Sequence, residues 1–323
     1  MKILLAPMEG VLDFHLRRIF ARVGGIDSCV TEFIRVTDHV LPDKVFLRYC
    51  PELLANTSPC KTDENPGETL PIRIQLLGSD PASLALNAKR AAELGASGID
   101  LNFGCPAKTV NRHRGGACLL DETALLFEIA SAVRAAVPSA IPVSAKIRLG
   151  NLDREHFFDN ACALAAAGMD QLVVHARTRA DGYRPPAYWH WIGQLRQRTA
   201  LPLIANGEIW TVDDYRRCRD EAATEDVMIG RGLLANPRLA LAIKNQQTDT
   251  NPEKAPWREI AQLLHSFFLD TTSQYPSKFL GNRLKQWLHY LKVHYSEADA
   301  LFNQIKSSRD YAFIDEAIRA HLR

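Results

Sequence analysis

The chain predicts a TIM-type (β/α)8 barrel followed by a small all-helical C-terminal domain, on three observations. Short apolar runs alternate with helical stretches eight times, each run is bounded by turn residues, and the alternation stops after Ala242. Runs of that kind read as strands buried on both faces, and strand–helix alternation implies a parallel sheet. Eight units close into a barrel of about 250 residues. The 323-residue chain holds such a barrel with a smaller domain to spare.

The strand-like runs are residues 3–6, 29–31, 72–77, 98–101, 143–147, 171–174, 203–205 and 227–229. Among the helical stretches, 81–94 and 122–137 each have an acidic residue, Asp80 or Asp121, in the N-cap position that suits the helix dipole. Residues 55–68 form an insertion between the second and third strands, expected as a surface loop. NQQTDTNPEKAP, at 245–256, is polar and proline-bearing and reads as a linker. Beyond it, 257–271, 280–294, 297–306 and 314–322 are expected as helices. The expected division is a barrel over residues 1–245 and a helical domain over 246–323.

Composition is ordinary for a globular chain, 46% hydrophobic and 24% charged, and a net charge of +2 says nothing by itself about a nucleic-acid partner. Seven widely spread cysteines include no CxxC pair, so no zinc ribbon or redox dithiol is indicated. The opening MKILLAPMEG is interrupted by Pro7 and Glu9, too soon for a signal peptide or a membrane span. A soluble cytoplasmic monomer with no metal site is expected.

In a β/α barrel the active site lies at the carboxyl ends of the strands. The residues just after each run are Pro7, Met8 and Glu9; Glu32 and Arg35; Gln75; Asn102 and Cys105; Lys146 and Arg148; His175 and Arg177; Asn206, Gly207 and Glu208; and Gly230 and Arg231. Any one of them can simply solvate the rim. A full ring of them points to a site. IANGEI and MIGRG follow the seventh and eighth strands, where barrels often bind phosphate, and Arg231 can add a bidentate contact. Lys146 and Arg148 lie two apart on one strand and both point to the mouth. Such a lysine suits negative charge near N1 and O2 of a reduced flavin, or a salt bridge to a strand-end carboxylate such as Glu208. Cys105 sits on a loop fixed by Gly104 and Pro106, and a thiol that is mainly protonated at neutral pH can donate a proton. His175 fits a ligand contact and a satisfied core histidine equally.

LAPMEGV, IDLNFGCPAKTVN, VSAKIRLG, VVHART, IANGEIW and MIGRG stand in this order along the chain. With them, essentially the whole length resembles the tRNA-dihydrouridine synthases. TEFIRV, KVFLRYCPEL and NRLKQWLHYL carry a narrower resemblance to the bacterial C-type subgroup. The resemblance implies a barrel binding FMN, a helical domain that helps clamp tRNA, and NADPH as reductant. Pro7, Met8, Glu9, Gln75, Lys146, His175, Asn206, Gly207, Glu208, Gly230 and Arg231 would hold FMN. Cys105 would be the general acid, Asn102 would contact the target uracil, and Arg148 would face the substrate. Arg35, Arg283 and Lys285 match positions marking the subgroup's grip on tRNA, which implies uridine 16 of the D-loop as the target. Phe103 departs from the smaller residue expected there, which puts packing beside Cys105 in question.

The implied chemistry agrees with the residues. Reducing the uracil C5–C6 bond takes a hydride at C6 and a proton at C5, both donors being fixed against one ring. The uracil must be splayed out of its stack, so neighbouring phosphates need cations. Three runs offer them: Lys108, Arg112 and Arg114; Arg177, Arg179 and Arg184 against Asp181; and Lys278, Arg283, Lys285 and Lys292 with no acid between Thr271 and Ser296. A flavin barrel acting on a small molecule such as dihydroorotate would explain the ring of strand-end residues but not the basic tail. An RNA-folding protein would explain the tail but not Cys105 with Lys146.

Overall fold

The computed structural model describes residues 1–57, 70–245, 254–272 and 274–323, the side chains of 55–57 excepted. The strands in chain order are β1 (Ile3–Leu5), β2 (Ser28–Val30), β3 (Ile34–Arg35), β4 (Ile72–Leu77), β5 (Gly98–Phe103), β6 (Val143–Arg148), β7 (Gln171–His175), β8 (Leu203–Asn206) and β9 (Val227–Ile229). Hydrogen bonding runs β2-β1-β9-β8-β7-β6-β5-β4, and β2 pairs with β4 to close a ring of eight parallel strands. The ninth, β3, was not expected. Its two residues pair with Leu76 and Leu77 at the end of β4.

Around the ring run α1 (Phe14–Val23), α2 (Asp43–Tyr49), α3 (Glu52–Thr57), α4 (Pro81–Glu93), α5 (Lys108–Arg112), α6 (Thr123–Ala136), α7 (Phe157–Ala166), α8 (His190–Arg196), α9 (Val212–Ala222), α10 (Arg231–Ala235) and α11 (Leu239–Lys244). Asp80 caps α4 as expected, its Oδ1 accepting from the Ser83 amide at 2.8 Å. Asp121 does not cap α6. The cap position falls on Glu122 without a side-chain bond, while the Asp121 carboxylate accepts from Asn151 Nδ2. Of the expected insertion loop, 55–57 belong to α3 and 58–68 lie outside the described residues, as do 246–253 of the expected linker.

Alternate strand residues face outward into the main core beneath the helices. The inward set divides in two. Leu4, Ala6, Val30, Val173, Ile204 and Met228 form a separate buried apolar cluster inside the barrel. Strands β4 to β6 instead carry Gln75, Asp100, Asn102, Ser144, Lys146 and Arg148.

Four helices follow, α12 (Trp257–Thr272), α13 (Asn282–Leu291), α14 (Ser296–Ile305) and α15 (Tyr311–Ala320). α12 packs on α1 and α13 on α10. Trp287 of α13 fills that junction, with Phe20 at 6.4 Å, Phe267 edge-on at 5.3 Å, and its indole N–H donated to the Leu234 carbonyl at 3.1 Å. A buried aromatic of this size stabilises the docking by roughly 1.5–3 kcal/mol. Among the described residues, no helix is long and apolar enough to cross a membrane.

Candidate active site

A cavity of about 530 Å³ opens at the carboxyl ends of the strands. Every residue expected at the cofactor lines it, from Pro7, Met8 and Glu9 through Gln75, Lys146, His175 and Asn206–Glu208 to Gly230 and Arg231. Asn102, Cys105 and Arg148 line it as well. In-register pairing explains the convergence. Asn102 lies opposite Lys146, Arg148 opposite His175, and His175 opposite Asn206, so each strand ends at one level.

Lys146 Nζ donates to Asn206 Oδ1 at 3.1 Å, and Asn206 Nδ2 donates to the Met228 carbonyl at 2.8 Å. Burial, with Arg148 alongside, brings the Lys146 ammonium down to about 8. Its partner is not Glu208. That carboxylate takes Arg177, Arg231 at 3.5 Å and the Trp210 indole N–H at 3.1 Å. His175 is held well below its ordinary range by burial and by the cations Arg148 and Lys146, so its ring is neutral. Gly207, at φ +115°, lies so close under this ring that a Cβ would stand 2.8 Å from His175 Cδ2. In α10, a Cβ on Gly232 would stand 2.1 Å from the Ile209 carbonyl oxygen. The loop after β8 therefore packs on His175 and on α10 with no room for a side chain at either glycine.

The Cys105 loop is tied from several sides. Asn102 Oδ1 accepts from the Gly104 and Cys105 amides at 3.0 and 2.9 Å. Arg148 Nε donates to the Gly104 carbonyl at 2.8 Å, and Asn111 Nδ2 to the Cys105 carbonyl at 2.9 Å. Burial pushes the Cys105 thiol up, so it keeps its proton at neutral pH. Phe103 raises no conflict beside it. Its side chain is buried in the main core, on the face of β5 opposite to Asn102.

Four expected tRNA contacts lie outside the cavity. Arg35 is exposed on β3. Arg177 is 0% exposed and is a strut rather than a rim cation: it pairs with Glu208 and donates to the Arg184 carbonyl at 2.7 Å. Arg283 donates to the Gly10 carbonyl, to the Val11 carbonyl at 2.6 Å and to Asp13 at 2.8 Å. Lys285 donates to the Ser308 carbonyl at 2.6 Å. Neither tail cation is free for a phosphate as placed, because Arg283 satisfies carbonyls of the loop after β1 and Lys285 satisfies one within the tail. Sequence reading also missed the aromatics on the cavity wall, Phe33, Tyr183, Trp210 and Tyr290. Tyr183 stands with its ring 5.1 Å from Arg148 and 5.2 Å from Arg231. Tyr290 comes from α13, where only tail packing brings it to the mouth.

A parallel barrel whose strand ends gather a buried lysine, a protonated thiol and two close-packed glycine loops defines a β/α-barrel enzyme. Over 76% of this chain and 86% of its own, the structure of morphinone reductase superposes with a TM-score of 0.53 at 14% identity, which shows the shared fold. The family described as dihydrouridine synthase (Dus) matches residues 4–319, and the chain belongs to that family. It is 49% identical to the tRNA-dihydrouridine(16) synthase of Pseudomonas syringae pv. tomato, over 96% of each chain. With the same-named protein of Aquipseudomonas alcaligenes it shares 47% identity, over 98% of this chain and 99% of that one.

Proposed function

We propose that the protein reduces uridine 16 in the D-loop of tRNA to dihydrouridine, with bound FMN as the hydride carrier and NADPH as its reductant. The observation that carries this reading is a protonated Cys105 thiol on the wall of the same cavity as Lys146 and the two glycine loops. The cavity, about 530 Å³, falls in the ordinary range for cofactor sites. Gly207, Gly230 and Gly232 line the cavity, and neither Gly207 nor Gly232 has room for a side chain, so it is loop backbone that would face a phosphate there.

In this reading the two glycine loops and Arg231 would hold the phosphate, and Lys146 would supply positive charge to an electron-rich ring system. When bound and reduced, flavin supplies a hydride to C6 of the uracil. Cys105 holds a proton at Sγ and delivers it to C5, and the thiolate left behind recovers a proton from solvent. Arg148 and Asn102 keep the thiol loop against the cavity, so that proton donor and ring stay in one geometry. Exposed Arg35, Lys108, Arg112 and Arg184 supply cations for the phosphates around the extruded base. Position 16 rests on the names of relatives 46–49% identical over nearly the whole chain. The reaction is proposed to run in the cytoplasm, by a monomer.

The test is a map of dihydrouridine in cellular tRNA from a strain lacking the protein. Position 16 should lose the modification. Wild type should restore it, and Cys105→Ala should restore it about a hundredfold more slowly while binding flavin normally. Loss at another position, or full rescue by Cys105→Ala, would reject the site or the proton donor respectively.

A further inference from the structure

TIM-barrel interiors are usually packed with branched apolar side chains. The β1, β2, β7, β8 and β9 side of this one obeys that rule. Strands β4 to β6 break it. Gln75, Asp100 and Ser144 are each 0% exposed and stand side by side at one level, paired in register. Burying a carboxylate is costly, and apolar residues of similar volume are often as stable or more so. Packing alone therefore gives no reason for Asp100.

The hydrogen bonds around it run in one direction. Ser144 Oγ donates to Asp100 Oδ1 at 2.5 Å, and Gln75 Nε2 donates to Asp100 Oδ2 at 2.7 Å. Burial pushes the Asp100 carboxyl up, against the bonds from Gln75 and Ser144 and the nearby Arg73 and Lys146, which favour the ionised form. Ionised, it only accepts, so Gln75 must turn its NH₂ to Asp100 and its Oε1 up the barrel. That oxygen accepts from Asn102 Nδ2 at 2.8 Å, which leaves Asn102 Oδ1 to accept from the Gly104 and Cys105 amides. The two ends of a side-chain amide have nearly the same shape, and only the bonding network selects between them. The relay is pinned at both ends, by Asp100, which only accepts, and by the Gly104 and Cys105 N–H groups, which only donate.

We propose that Asp100 is a positioning residue for Cys105, fixing through Gln75 and Asn102 which end of two amides meets the Cys105 loop and so holding the thiol on the cavity wall. The proposal deepens the reading of Cys105 as proton donor and takes its functional meaning from it. Asp100→Leu removes the acceptor. The Gln75 NH₂ is then buried without a partner, Gln75 no longer holds one orientation, and Asn102 loses the acceptor that steadies its own, so the loop is released.

The test reads the thiol directly, in the full-length chain as purified and again after flavin removal. Iodoacetamide alkylation is followed by peptide mass at Cys105, with exposed Cys162 and buried Cys218 as internal references. Asp100→Leu should speed alkylation of Cys105 by about fivefold or more, the equivalent of losing one or two net hydrogen bonds, with both references unchanged. Combining Asp100→Leu with Gln75→Glu moves the carboxylate one link up, where it accepts from Asn102 and leaves no NH₂ unpaired. The Cys105 rate should then return to within about twofold of wild type, a coupling that simple loosening would not produce. If Asp100→Leu does not accumulate in folded form, Gln75→Leu cuts the relay at its middle link and should speed Cys105 by a similar factor. An unchanged Cys105 rate in the single variant, no recovery in the double, or Cys218 rising in step with Cys105 would overturn the proposal. Alkylation needs neither tRNA nor turnover, so its outcome is separate from that of Cys105→Ala.

Discussion

At the barrel mouth, Lys146 and Arg231 stand on the cavity wall; on the helical tail, Arg283 and Lys285 point back into the protein and donate to backbone carbonyls. The difference follows from what lies beneath each cation. A strand-end side chain rests on a closed hydrogen-bond ladder, so the backbone around it is already satisfied. A docked helix covers loops whose carbonyls lose water, and it must bring donors to them. Arg283 does this for Gly10 and Val11, in the loop that also carries Pro7, Met8 and Glu9 to the cavity. The same helix brings Tyr290 to the cavity wall. The tail is thus part of the catalytic pocket as well as a surface beside it.

The strongest way to break this contrast is Arg283→Ala. Losing the ion pair with Asp13, both partners being largely buried, should lower stability by about 2–4 kcal/mol and reduce flavin retention as well. Thermal unfolding and flavin content would measure both. If tRNA affinity fell while both stayed at wild-type values, Arg283 would be a phosphate contact after all.

Lys146 sharpens the other side. Its ammonium is brought to about 8 from 10.5, so the folded chain gives up this proton before the unfolded chain does. The burial cost is therefore fully present below about pH 8 and is relieved as pH rises from there to about 10.5. An electron-rich ring edge favours the charged form, so flavin affinity should fall as pH rises through this range. Lys146→Met should bind flavin about tenfold more weakly at pH 7 and lose that pH dependence. A titration equally steep in the variant would move the effect to another group.

The smallest expected effect separates Arg35 from Lys285. Arg35→Ala should flatten the log–log salt dependence of tRNA binding by about one unit, with flavin content unchanged. Lys285→Ala, which removes one bond to a carbonyl, should leave that slope within error and cost about 1 kcal/mol of stability. Equal slopes for the two variants would mean that Lys285 leaves Ser308 when tRNA binds.

Legibility in the sequence follows the same divide. The eight strands were readable because a strand buried on both faces leaves a continuous apolar signature. The ring of site residues was readable because a parallel barrel puts every strand end on one face. Two-residue β3 has no signature of its own, since it exists by pairing with the end of β4. Arg177 looked like a rim cation because of its basic neighbours, yet it lies on the buried side of its loop, against Glu208.

By itself, then, the sequence determined the barrel, the tail helices and the strand-end groups that face the cavity, because periodicity and strand order are local properties of the chain. Only the tertiary structure decided which charges those groups meet. Glu208 takes Arg177 and Arg231 rather than Lys146, and Arg283 takes the loop after β1. Asp100, a single polar letter inside an apolar run, proved to be the base of the relay under Cys105. Side-chain pairing between elements distant in sequence depends on register and docking, and neither is written in any one segment.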